Sequence, residues 1–289
     1  MRAVTNEEPA ANARERKYWN SVATRGWSER HEAIDRLFVG VTQLALDAAD
    51  VRPGEDVLDI GCGSGTTVLA LAARVGGDGS VLGADIAEAS VAKARERIAA
   101  AGLAQGSAMV ADVATHHFPP HSFDLAFSRF GVMFFSDPAA AFAKLRHAMK
   151  PSGRLAFAVF RTPQENSWAM LPLAAVRDLV ELPPPAGPEE PGEFSWANAE
   201  RVRRILGAAG YRDISLTPHA LAMPLGALGG AADVADFAMH VGPVVRATLQ
   251  AADELRAAVR ARLQEFYQQH DGPQGIALPG AIWIVTARV

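Results

Sequence analysis

Between residues 52 and 159 short apolar runs alternate with stretches whose apolar positions recur every three or four residues. That alternation predicts strands and amphipathic helices in turn, the pattern of βαβ units around a parallel sheet. The first strand is expected over 56–60 (DVLDI), an apolar run with one interior acid, Asp59, that suits burial on both faces. Further strands are expected over 80–84, 108–111, 123–128 and 154–160. A helix over 88–101 ends at Gly102, a C-cap glycine, and one over 139–149 follows Asp137-Pro138, an N-cap with proline in the first turn. Upstream, Ile34, Leu37, Phe38, Val41, Leu44 and Leu46 mark a helical face within 29–50.

The pattern changes after residue 160. The run 182–192 (LPPPAGPEEPG) excludes helix and central strand, so a surface loop or hinge is expected there. A helix over 199–209, a strand over 211–217, mostly helical sequence over 229–270 (including one long helix over 244–267) and a strand over 281–288 complete the reading. Two late strands separated by helices suggest an antiparallel addition at one sheet edge. The expected organisation is an N-terminal arm or helix over 1–28, a sheet domain over 29–217 plus 281–289, and a helical cap over 218–280. Within the first segment, residues 1–17 are expected to form a mobile arm.

Composition narrows the class. With 49% hydrophobic and 21% charged residues, the chain has ordinary globular usage, which excludes disordered and fibrous readings. Basic residues number 28 against 32 acidic, for a formal charge of −4, so no basic surplus points to nucleic acid. No stretch reaches the roughly 20 apolar residues of a membrane span, and residues 1–17 lack the apolar run of a signal peptide. The single cysteine, Cys62, excludes an internal disulfide and fits a reducing cytoplasm, the expected location.

The chemistry concentrates at the end of the first strand. Gly61, Gly63 and Gly65 let the backbone turn sharply and approach a ligand, at the edge where open parallel sheets bind them. The spacing is G-x-G-x-G, and Thr66 stands where a dinucleotide fingerprint would carry glycine. Asp59 precedes the loop. Two like charges about 4 Å apart cost about 1 kcal/mol in water and about 4 kcal/mol at an effective dielectric of 20. A pyrophosphate would meet that penalty, whereas an amino group would gain. Asp85, twenty residues after Gly65, stands where a carboxylate accepts from ribose hydroxyls, and Asp112 ends the third strand where it can accept from an adenine amine. The implied ligand is an adenosine with an amino-acid tail.

The segments VLDIGCGSG (57–65), VLGADI (81–86), MVADV (109–113), FDLAFSRFGVMFF (123–135) and KPSGRLAF (150–157), in this order and spacing, resemble the class I S-adenosylmethionine-dependent methyltransferases. The resemblance is nearest to the small-molecule group that includes the ubiquinone and menaquinone enzymes. It implies a Rossmann-like, seven-stranded, mostly parallel sheet with helices on both faces and a helical cap insertion. It implies S-adenosyl-L-methionine as cofactor, with Asp59 and the loop Gly61, Cys62, Gly63 and Gly65 on the methionine, Asp85 on the ribose, and Asp112 with Val113 on the adenine. Ile86 is implied against the adenosine and Ser128 in the cleft. By the same resemblance the aromatic segment holding Tyr18, Trp19 and Trp27 folds over the cofactor, with Trp19 near the sulfonium.

Candidate catalytic residues are Arg129, His117 and His219. Arg129 follows the fourth strand and is expected either to hold an anionic substrate or to pair with Asp124 or Asp137. Pro119 and Pro120 keep His117 and His121 off a common helical face, which argues against a metal. The expected activity is methylation, at oxygen or carbon, of a small hydrophobic quinone, phenol or polyketide-like acceptor. The rival is a protein of the same fold that binds the cofactor without transferring methyl. The expected partners are a small-molecule substrate and, as assembly, a homodimer, with no nucleic acid and no membrane span.

Overall fold

A computed structural model describes residues 10–21, 24–182, 187 and 189–289. Four helices come first: α1 (Ala10–Trp19), α2 (Arg25–Glu29), α3 (His31–Leu37) and α4 (Val39–Ala49). The expected arm over 1–17 is thus helical from residue 10, and its first nine residues lie outside the described ones. The alternating region follows as β1 (Asp56–Ile60), α5 (Thr66–Val75), β2 (Ser80–Asp85), α6 (Glu88–Ala101), β3 (Gly106–Val110), β4 (Phe123–Arg129), α7 (Pro138–Ala148) and β5 (Met149–Phe160). Then come α8 (Ser167–Ala175), α9 (Ala199–Ala208) and β6 (Arg212–Met223). Helices α10 (Ala231–Ala238), α11 (Pro243–Thr248) and α12 (Asp253–Gln269) and a small hairpin, β7 (Asp271–Gly272) with β8 (Gly275–Ile276), lead to β9 (Leu278–Arg288).

Seven strands form one sheet in the order β3-β2-β1-β4-β5-β9-β6. All neighbours pair in parallel except β9, which runs antiparallel between β5 and β6. This is the expected Rossmann-like architecture. The apolar strands carry the core: Val57, Leu58, Leu125 and Val285 are fully buried. Chain direction across the sheet reverses between β1 and β4, and such a switch point opens a crevice at the carboxyl ends of the strands.

Local signals set the helix ends. Gly102 takes the left-handed conformation that stops α6 (φ +65°), and the Asp137 carboxylate accepts from the Ala140 amide at 3.0 Å, ahead of Pro138. Several readings change, and the fifth strand begins at Met149, five residues earlier than expected. The long helix over 244–267 is two helices, because the Thr248 carbonyl takes Arg256 and the Ala251 amide in a turn. The third strand begins and ends earlier, at Gly106 and Val110. The last two strands are longer, since their pairing continues from Arg212↔Arg288 to Met223↔Leu278. Pro218 is tolerated in β6 because that strand is an edge, bonded on one side alone. Of the loop expected over 182–192, residues 183–186 and 188 lie outside the described ones; Glu189 is tied to α9 through Arg201 and Arg204.

Candidate active site

The strand ends at the switch point frame one cleft of about 1340 Å³, counted to its open mouth. β1 delivers the glycine loop. An added Cβ on Gly61 would lie 2.6 Å from the Gly131 Cα, so the backbones following β1 and β4 touch with no room for a side chain. Gly63 adopts φ +52°, and a Cβ there would meet no atom: it would stand in the cleft itself. The loop is held open by Asp85, whose carboxylate accepts the Gly63 amide and the Ala87 amide, both at 2.8 Å. Burial pushes the Asp85 carboxyl up while these backbone bonds pull it down.

Trp19, Gly61, Cys62, Gly63, Asp85, Ile86, Asp112 and Val113 all line this cleft. Asp59, Gly65 and Ser128 stand behind its wall. Asp59 is fully buried, with one carboxylate oxygen taking the Thr67 hydroxyl and the other, Oδ1, without a partner. Burial pushes it up to about 7, against the pull of Thr67 and Arg129. Gly65 packs on α6, where a Cβ would sit 2.9 Å from the Ala94 Cβ. Ser128 does not line the cleft, because strand alternation turns it inward, where its hydroxyl donates to the Ile60 carbonyl at 2.8 Å and ties β4 to β1. Cys62 lines the cleft but is buried, and burial with the nearby Asp85 and Asp59 pushes its thiol well up.

The catalytic candidates separate. Arg129 lines the cleft, but it pairs with neither Asp124 nor Asp137. It donates to the Thr42 hydroxyl (2.8 Å) and faces the Asp35 carboxylate (3.8 Å), while Asp124 takes Lys150 and Asp137 caps α7. His117 lies exposed in the turn after β3, and His219 sits on the edge strand opposite Ile282; neither lines the cleft.

Sequence reading missed one whole face of the site. His31, Ile34, Asp35 and Phe38 line the cleft from α3 and the residue after it. Asp35 is the hub: it accepts from the Thr66 hydroxyl and from Arg97 (3.0 Å), and Arg97 also donates to the Ser64 carbonyl (2.9 Å). His31 Nδ1 lies 3.1 Å from the Ser28 carbonyl, which can only accept, so that nitrogen carries the proton. The available signal was a polar His31 and Asp35 in helical register with the apolar Ile34 and Phe38.

Away from the acids the wall is aromatic. Phe130 and Phe160 stack at 4.2 Å, Phe38 stands edge-on to Phe130 at 5.0 Å, and Trp19 is edge-on to Phe134 at 4.8 Å. Phe130 holds φ +74°, an unfavourable backbone for a bulky residue, at the point where β4 opens into the cleft. Among the described residues no group of three or more His, Cys, Asp or Glu is arranged to hold a metal.

A family model for a methyltransferase domain matches residues 57–153. Aklanonic acid methyltransferase DauC of Streptomyces sp. (strain C5) is 32% identical over 200 residues, 65% of this chain and 90% of that protein. The chain belongs to the S-adenosylmethionine-dependent methyltransferases. Nocamycin O-methyltransferase of Saccharothrix syringae is 30% identical over 256 residues, 88% of this methyltransferase and 76% of the relative. Among solved structures, a Haemonchus contortus phosphoethanolamine N-methyltransferase with S-adenosylhomocysteine shares the fold, with TM-score 0.57 and 17% identity over 93% of this chain and 59% of that one. The cofactor is S-adenosylmethionine, and the cleft of this methyltransferase suits it. The open space at Gly63 leaves room for a ligand backbone, and Asp85 and Asp112 present carboxylates to the cleft beside apolar Ile86 and Val113.

Proposed function

We propose that the methyltransferase modifies an oxygen or carbon of a small, flat, apolar molecule, of the quinone, phenol or polyketide-like kind. The observation that carries this reading is the aromatic wall of the cleft: Phe38, Phe130, Phe134, Phe160 and Trp19 face the space beyond the glycine loop. Such a wall favours a planar apolar ligand by burial and by edge or face contact with the rings. The formal charge of −4 disfavours a nucleic-acid acceptor. The matched relatives named for aklanonic acid and nocamycin support the same class.

In this reading Gly61, Cys62 and Gly63 cradle the methionine part of the cofactor, and Asp59 supplies charge from behind the loop. Asp85 accepts from the ribose, and Asp112, Val113 and Ile86 enclose the adenine. The cofactor, when bound, supplies an electrophilic methyl group on a sulfonium. What the chain contributes is orientation and exclusion of water, from α1–α3, which Arg30–Asp236 and Arg36–Ala227 tie to the segment 218–280. Trp19, on α1, offers its ring to the sulfonium charge.

The test is transfer of labelled methyl from S-adenosylmethionine to a panel of neutral aromatic acceptors, with polar amines and RNA as controls. Label on the aromatic acceptors alone is expected. Label on RNA or amines, or on no acceptor despite cofactor binding, would overturn the reading. S-adenosylhomocysteine is expected to raise the melting temperature and NADH to leave it unchanged.

A further inference from the structure

Helix α1 is fastened at two points that belong to different parts of the molecule. At its C-terminal end the Asn20 side chain donates to the Ile86 carbonyl and accepts from the Glu88 amide, both at 3.0 Å. It thereby reaches the turn after β2. Two residues earlier, the Tyr18 hydroxyl accepts from Arg246 Nε at 3.0 Å, and the guanidinium carbon lies 5.0 Å from the centre of the Tyr18 ring. Arg246 stands on α11, inside the segment between β6 and β9, and its Nη2 also pairs with Glu193 at 3.2 Å. Between the two anchors Trp19 faces the cleft, edge-on to Phe134 and to Trp27 at 6.1 Å.

Each anchor is built for hold rather than for ligand contact. Arg246 does not line the cleft, but Glu193 and Glu15 beside it do. Its guanidinium uses its fork on two partners at once, Tyr18 and Glu193, a geometry lysine cannot reproduce. A shift of α11 would therefore release Tyr18 first and Trp19 with it.

We propose that Arg246 is a positioning residue of the methyltransferase: through Tyr18 it pins Trp19 over the cleft, so that the inserted helices set how fast the cofactor escapes. This rests on the reading that the cleft holds S-adenosylmethionine. The inserted helices and α1, which lines the cleft through Trp19, then shift together. The cofactor enters while both are apart and is retained once they engage.

The experiment follows dissociation of labelled S-adenosylhomocysteine from the full chain, chased with unlabelled ligand. Arg246→Ala is expected to release it about tenfold faster, the loss of one charge-assisted contact. Arg246→Lys is expected to recover part of the rate and Tyr18→Phe to fall between the two, while Asn20→Ala, at the opposite anchor, accelerates release in the same direction. A merely structural role would lower the melting temperature of the unliganded chain and leave the release rate alone. Wild-type release in Arg246→Ala and Asn20→Ala would overturn this inference and leave the cofactor reading intact. Failure of the wild-type chain to bind S-adenosylhomocysteine would overturn both. Should Arg246→Ala lose its fold, Tyr18→Phe and Asn20→Ala decide the matter.

Discussion

At Asp59 burial and ligand charge act against each other. Its carboxyl sits at about 7 in the folded chain against an ordinary 3.8. Between roughly pH 4 and pH 7 the folded chain therefore keeps a proton that the unfolded chain has lost, and stability falls as pH rises through that window. Asp59→Asn, which can still accept from Thr67, is expected to remove this slope and to raise stability at pH 8 by about 1–3 kcal/mol in urea titrations across pH. The ligand's ammonium should draw the proton off, so wild-type affinity for S-adenosylhomocysteine is expected to rise from pH 6 to 8 and to stay flat in Asp59→Asn by calorimetry. Gly63→Val separates space from strain. A Cβ there meets no atom within 4 Å, and a positive φ costs about 1–2 kcal/mol of stability. Ligand binding is expected to vanish while the fold persists, as circular dichroism and calorimetry on one sample would report. Cys62 is a buried thiol in the wall of the cleft. Its raised pKa keeps it protonated, and slow labelling by iodoacetamide at pH 8 is the expected sign.

Helix α3 is short, yet it joins three elements through one carboxylate. Asp35 holds Thr66 at the start of α5, Arg97 on α6 and Arg129 at the end of β4. Removing it leaves two guanidinium groups, about one-fifth and one-seventh exposed, without their anion. Asp35→Ala is expected to cost about 2–4 kcal/mol in chemical denaturation and to weaken ligand binding by loosening the glycine loop. No local pattern announced this role, because the partners lie 31, 62 and 94 residues away and a single Asp on a helix reads as solvated. What was legible at this scale followed from short-range physics. The alternation of strand and helix over 52–160, the Gly102 and Asp137 caps and the glycine loop each depend on residues within a few positions. Ser128 misled for the same reason. Its place at the end of β4 was correct, but the face it turns to is set by pairing with β1. The division of α11 from α12 was hidden too, because it depends on Arg256 reaching back to the Thr248 carbonyl.

Across the whole molecule the first helices, which line one side of the cleft, are clasped to the late insertion. Arg30 pairs with Asp236 at 2.9 Å, Arg36 donates to the Ala227 carbonyl at 3.0 Å, and Gly26 sits so close to the His240 carbonyl that any side chain must displace it. Gly26→Ala is expected to destabilise by about 1–3 kcal/mol and to raise hydrogen exchange in α1–α3 and α10–α11 together. Faster exchange in one group alone would show that the two groups of helices move separately. The sequence pattern indicated that helices lie at both ends of the sheet. Their mutual contact, between partners 191 and 206 positions apart, was beyond any periodicity. The position of β9 carries a further consequence. Wedged between β5 and β6, it is the last strand in the chain and an interior one in the sheet. As the polypeptide leaves the ribosome, β6 has no neighbour until residues 278–288 emerge behind it, so the nascent protein must shelter an open seam while residues 224–277 are made.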